Sequence, residues 1–155
     1  MVVLPRPHTS RLDGLAVALW LTRERGVKNA LFAVDPDYAR HPIWRHVLPI
    51  YGWIIGRHEM LPLDSQRPYG LRHLIQAAQD GRTVVIFPQG TGIANPMRVD
   101  QPGFAWMMRK VGQGNAVDVI DVQINHDSRW PACRMELAAN SVQMGKDVKA
   151  HAYRR

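Results

Sequence analysis

Apolar positions along the chain fall into short runs separated by turn residues, with one stretch of clear helical period. Val2–Leu4 is a short apolar start, Leu12 to Thr22 has the length and composition of a helix, and Ala30–Val34 is an apolar run that stops at Asp35-Pro36. Leu71, Leu74, Ile75 and Ala78 follow i, i+3, i+4, i+7 spacing, Pro68 suits a first helical turn, and Gly81 suits a C-terminal cap. Thr83 to Phe87 is β-branched and apolar without alternation, the pattern of a strand covered on both faces. Val117 to Ile124 is a second such strand, and Phe104 to Val111 is a helix between them. Strands alternating with helices predict a single α/β domain, a mostly parallel sheet flanked by helices, with chemistry at loops beyond the carboxyl ends of strands.

Composition narrows the class. The 155 residues suit one domain, and 46% apolar with 21% charged residues excludes disorder, collagen and coiled coil. The domain is expected over residues 1–140, followed by a basic tail or terminal helix over 141–155. A formal charge of +7 and a pI near 10.2 point to an anionic partner: nucleic acid, anionic lipid or a phosphorylated small molecule. Cys133 is the single cysteine, so no internal disulfide or multi-cysteine zinc site can form, as suits a reducing compartment. The longest uninterrupted apolar run, Leu15 to Leu21, is too short to span a bilayer, and Pro5, Arg6 and Pro7 interrupt any signal-peptide core.

Three stretches could carry chemistry or binding. In Pro7-His8-Thr9-Ser10-Arg11-Leu12-Asp13 the imidazole of His8 needs a partner to fix its tautomer, and Asp13, one turn into the following helix, can reach back to it. The same letters also spell a helix start, with Ser10 as cap and Asp13 completing a capping box. In Phe87-Pro88-Gln89-Gly90-Thr91-Gly92 the glycines would let backbone N–H groups approach an anion or oxyanion; a plain turn is the alternative. From Arg40 to Leu63, the aromatic residues Trp44, Tyr51 and Trp53 interleave with Arg40, Arg45, His46, Arg57 and His58. That list fits a bilayer interface and a core helix with a solvated face equally, and Pro42 and Pro49 are expected to break any long amphipathic period. No phosphate-loop, His-Glu-x-x-His or Gly-x-Ser-x-Gly pattern is present, so neither nucleotide hydrolysis, a metal site nor a serine nucleophile is signalled.

Taken in order, these segments resemble the glycerolipid acyltransferase family, which includes 1-acylglycerol-3-phosphate acyltransferase. Residues 7–13 look like its first block, Asn-His-x-Ser-x-x-Asp, with proline for the asparagine. Phe87-Pro88-Gln89-Gly90-Thr91-Gly92 looks like Phe-Pro-Glu-Gly-Thr-Arg, and Val117-Asp118-Val119-Ile120-Asp121-Val122 is similar to the apolar fourth block, with aspartates where its prolines stand. Through Leu61-Pro62-Leu63-Asp64 and the following helix, the likeness is greatest to the acyltransferase part of 2-acylglycerophosphoethanolamine acyltransferases. At the second-block arginine that helps hold the acceptor phosphate this sequence has Leu63, with Arg57 upstream as a substitute. Gln89 and Gly92 replace a glutamate and an arginine that the family uses around the headgroup.

The resemblance implies acyl transfer from an acyl thioester, coenzyme A or acyl carrier protein, to a lysophospholipid hydroxyl, with no cofactor beyond that co-substrate. It implies His8 as general base, Asp13 as its orienting partner, and Ser10, Arg57, Phe87, Pro88, Gln89, Gly90 and Thr91 around the substrates. The protein is then expected to be cytoplasmic and peripheral to the inner face of an anionic membrane, its basic and aromatic residues replacing N-terminal anchoring helices. Two other readings compete: a non-catalytic relative that binds lipid or acyl carrier protein, suggested by Gln89 and Gly92, and a basic nucleic-acid-binding domain, suggested only by charge, with no nucleic-acid-binding motif present.

Overall fold

The computed structural model describes residues 1–10, 12–63, 69–90, 99–114, 116–126 and 135–144. Their elements are β1 (Val2–Arg6), α1 (Asp13–Arg23), β2 (Leu31–Val34), α2 (Pro36–Arg40), α3 (Trp44–Gly56), β3 (Glu59–Pro62), α4 (Tyr69–Gln79), β4 (Val84–Val85), α5 (Pro102–Gly112), β5 (Val117–His126) and β6 (Met135–Met144). One six-stranded sheet has the order β3-β2-β4-β1-β5-β6. Every pairing is parallel except that of β5 with β6.

Alternation along the strands divides the core into two layers. Val2 and Leu4 of β1 face one side, where they join Leu31, Val84, Val117 and Val119 under Leu74 and Ala78 of α4 and Met107 and Val111 of α5. Val3 faces the other side with Phe32, Val85, Ile120 and Val122, beneath Val17, Ala18 and Leu21 of α1; Tyr51 of α3 packs against this layer. Both faces are covered by helices, which is why the central strands read as continuous apolar runs rather than alternating ones.

The expected α/β domain with a mostly parallel, helix-flanked sheet is the fold observed. Several boundaries differ. The strand expected over Thr83 to Phe87 is regular only at Val84–Val85; the Ile86 N–H still donates to the Val3 carbonyl at 3.1 Å, and the chain turns at residues 88–90 at the sheet's carboxyl edge. The tail expected from Ser141 as a helix or frayed end is corrected, since residues 141–144 complete β6, with Ser141 opposite Ile120 and Met144 opposite Val117. Residues 145–155 lie outside the described residues, as do Pro68 and Cys133.

The expectation that Pro49 breaks the Arg40 to Leu63 stretch is also corrected, because α3 runs through it. Proline removes one backbone bond and crowds the preceding turn, but close tertiary packing compensates. A Cβ on Gly56 would stand 2.6 Å from both Thr22 Oγ1 and His58 Nε2, and one on Gly52 would stand 2.9 Å from the His58 carbonyl oxygen. These two glycines let α3 lie against α1 and the start of β3, and the Tyr51 hydroxyl adds a hydrogen bond to the Leu15 carbonyl at 3.1 Å.

Candidate active site

The chain order places β1 between β4 and β5, so the loops leaving β1 and β4 emerge side by side at the sheet's carboxyl edge. That is where open α/β sheets gather their ligands. The β1 loop begins with a cis Arg6–Pro7 peptide and brings His8 to the N-terminal end of α1. Asp13 opens that helix and is fully buried.

Asp13 Oδ2 lies 3.0 Å from His8 Nδ1 and accepts the backbone N–H groups of Thr9 at 2.8 Å and Ser10 at 2.9 Å. Burial pushes the Asp13 carboxyl up; the His8 hydrogen bond, the two backbone donors and the His8 charge outweigh it, holding the group below the ordinary carboxylate range. An ionised carboxylate only accepts, so Nδ1 carries a hydrogen, and in the neutral ring Nε2 keeps its lone pair. The negative charge also sits at the positive end of the α1 dipole.

The alternative reading of these letters, a capping box, is half realised. Asp13 reaches back to the Ser10 N–H, while the Asp13 N–H goes to the Ser10 carbonyl at 3.2 Å, and Ser10 Oγ accepts from Leu12 N–H at 3.2 Å. One carboxylate oxygen thus ends the helix and holds the imidazole at the same time.

The β4 loop supplies the other wall. The Phe87 ring lies against the His8 ring at 4.3 Å between centroids. Gln89 is buried, and its Oε1 accepts the His8 backbone N–H at 2.9 Å. Pro88 is buried beside it, and its carbonyl accepts Gln101 N–H at 2.8 Å. Gly90 turns the chain with φ +71°, a conformation that favours glycine. Of the backbone N–H groups around Gly90 and Thr91 considered for an oxyanion, that of Gly90 donates to the Phe87 carbonyl at 3.0 Å and closes the turn. Thr91, Gly92 and Asp64 lie outside the described residues.

The structure therefore gathers His8, Ser10, Asp13, Phe87, Pro88, Gln89 and Gly90, and it leaves Arg57 out. Arg57 is the C-cap of α3, in a left-handed conformation with φ 56°, and precedes β3. It stands at the amino edge of the parallel strands, whereas the loop carrying His8 leaves their carboxyl edge. His58, grouped with the interfacial residues from sequence, is instead a core residue. Ala30 N–H donates to its Nδ1 at 3.2 Å, so Nε2 carries the proton toward Thr22 Oγ1 at 2.8 Å.

Sequence reasoning missed a cluster beside the site. The Arg6 guanidinium grips Asp100 through two contacts of 2.9 Å, has Nε 3.7 Å from Asp121 Oδ1, and lies 5.7 Å from the Phe104 ring centroid. It ties the end of β1 to β5 and to the approach to α5. Burial raises the Asp121 carboxyl above its ordinary range, with Arg6 opposing and Asp100 reinforcing the rise. The only signal in sequence was an aspartate where the related block carries proline.

A family model described as Acyltransferase matches residues 2–127, which takes in β1 through β5 and both site loops. The chain belongs to the acyltransferase family. This is the family of the glycerolipid acyltransferases, and membership supports transfer of acyl groups as the general activity of the protein. No solved structure matches the chain. In this acyltransferase no helix among the described residues is long and apolar enough to cross a membrane.

Proposed function

We propose that this acyltransferase moves a fatty acyl group from an acyl-coenzyme A or acyl carrier protein thioester to a free hydroxyl of a lysophospholipid. The observation that carries the reading is the His8 Nδ1 to Asp13 Oδ2 contact of 3.0 Å at the carboxyl edge of the sheet, in a chain of this family. His8 Nε2 takes the acceptor hydroxyl's proton as that oxygen attacks the thioester carbonyl, and Asp13 stabilises the imidazolium that forms. The tetrahedral intermediate then expels the thiolate, which recovers the proton from His8, leaving ester and free thiol. No covalent enzyme intermediate is needed.

Gln89 and Phe87 act as positioning residues in this scheme, one fixing the His8 backbone and the other packing on its ring. The acceptor is an amphiphile that comes from a membrane, so the protein works at a bilayer surface.

The test is transfer of a labelled acyl group from both thioester donors to a panel of lysophospholipids, with His8→Ala beside the wild type. Transfer that vanishes in the variant supports the reading and names the acceptor. Transfer to no acceptor by the folded wild type would overturn it in favour of a domain that binds lipid or acyl carrier protein without catalysis.

A further inference from the structure

We infer that α3 is a membrane-docking helix, which lies flat on an anionic phospholipid surface through the face turned away from α1. Ile43, Val47, Ile50 and Ile54 recur at i, i+4, i+7 and i+11, the spacing of an apolar stripe on one side of a helix. In a globular domain such a stripe faces the core. Here it faces solvent, with exposures of 63%, 40%, 57% and 66%, while Gly52 and Gly56 on the opposite side are buried against His58 and Thr22. Trp53 flanks the stripe at 67% exposure and, with Pro49, Ile50 and Ile54, lines a shallow apolar depression. A contiguous exposed patch of this kind marks a binding surface rather than scattered surface residues.

The charges around the stripe select the occupant. From residue 38 to residue 58 the chain carries Arg40, Arg45, Arg57, His41 and His46 outside the core, and not one Asp or Glu. The carboxylates bounding that span are already engaged, Asp37 with Arg40 at 3.5 Å and Glu59 with Arg82 at 2.8 Å. An apolar stripe with a tryptophan beside it, on a helix free of carboxylates in a chain of net charge +7, matches the headgroup layer of an anionic bilayer, where rings sit at the level of lipid phosphates above acyl chains. A second copy of this chain fits less well. Stripe-to-stripe pairing would bring together two chains that each carry +7.

The position of α3 gives the docking a use. Tyr51 bonds to Leu15, and Gly56 packs on Thr22, so α3 and α1 run side by side in the same direction. The half of α3 before Tyr51 therefore lies toward the end of α1 that carries Asp13. With packed helices about 8–10 Å apart and α3 about 5 Å in radius, a surface beneath α3 would hold the axis of α1, which carries Asp13, roughly 15 Å from the lipid headgroups. This last step rests on the proposed function; the docking itself does not.

The test is flotation of the full chain with vesicles of phosphatidylglycerol and phosphatidylcholine, against vesicles of phosphatidylcholine alone. The wild type is expected to float with the anionic vesicles and to lose that binding as salt is raised. The double variant Ile50→Glu, Ile54→Glu, on exposed positions that leave the fold intact by circular dichroism, is expected to bind at least about tenfold less. Trp53→Ser is expected to bind several-fold less, and Trp106→Glu, an exposed aromatic change on α5, as wild type. Equal flotation of the double variant and the wild type would overturn the proposal. So would a wild type that floats with neither vesicle, or a dimer in sedimentation velocity that the double variant dissolves. Vesicle binding that persists where no acceptor is acylated would sink the proposed function and leave the docking helix standing.

Discussion

Gln89, at the end of the β4 loop, holds the backbone N–H of His8 through its side-chain oxygen at 2.9 Å, across 81 residues of sequence. The contact joins two loops that share only the parallel neighbours β1 and β4, and it fixes the backbone from which the imidazole projects. Its chemistry needs a buried acceptor at position 89, which a glutamine supplies as well as the carboxylate of the related block.

Gln89→Ala is therefore expected to lower acyl transfer by about tenfold or more, since small displacements of a reacting group carry large rate penalties. Gln89→Glu keeps an acceptor in place and is expected to retain most of the activity. Parallel kcat and KM measurements on the two variants check this. An alanine variant as active as the wild type would show that the bond holds nothing that catalysis uses.

Loss of His8 removes the base itself. His8→Ala is expected to cut transfer by about 10²–10⁴-fold while leaving the fold intact, since His8 lies in a loop outside both core layers. Asp13→Asn is expected to cost a comparable factor, because an amide no longer fixes the Nδ1–H form of the imidazole. It should also destabilise the domain by about 1–3 kcal/mol, since a buried acceptor of charge-assisted hydrogen bonds becomes neutral. Initial rates and urea melts of both variants separate the two effects: His8→Ala should move the rate far more than the melt.

Gly56→Ala is expected to destabilise although alanine is the better helix former. The new methyl would meet Thr22 Oγ1 and His58 Nε2 at 2.6 Å, and overpacking of that kind costs roughly 1–3 kcal/mol against a propensity gain of about 1. Gly14→Ala, on α1 with open space around its added Cβ, is the control and should be neutral or slightly stabilising. A thermal melt in which Gly56→Ala matched the wild type would contradict the close packing of α3 on α1.

Stability should fall in acid in two stages. Burial holds the His58 imidazole below its ordinary value, so as pH drops below about 6.5 the unfolded chain takes up a proton that the folded chain refuses. The stabilisation is complete above that pH and is lost as pH falls toward the lowered folded value. Asp13, also held low, adds a second loss beginning near pH 4, where its unfolded form protonates first. Urea melts across this range check both, and His58→Gln should flatten the first stage while leaving the second.

The hydrophobic pattern by itself determined the alternation of strands and helices and the burial of the sheet on both faces, while the spacing of His8 and Asp13 offered a pair beside a capping-box reading. Each of these depends on residues close in sequence: the period of an amphipathic helix, a β-branched run, a histidine five residues before a carboxylate. The fold also determined which of two readings a local pattern took. Pro49 did not break α3, because Gly52 and Gly56 gave it a neighbour to pack against, and the ambiguous Arg40 to Leu63 stretch split into a buried His58 and an outward apolar stripe. Strand order placed the β4 loop beside His8 and left Arg57 at the opposite edge of the sheet, a separation that spacing along the chain cannot express. Arg6, Asp100 and Asp121 met only because β1 lies beside β5. Contacts within a turn of helix are fixed by the local chain, whereas contacts between parallel strands depend on which strands become neighbours, and that is decided by burying all the apolar faces at once.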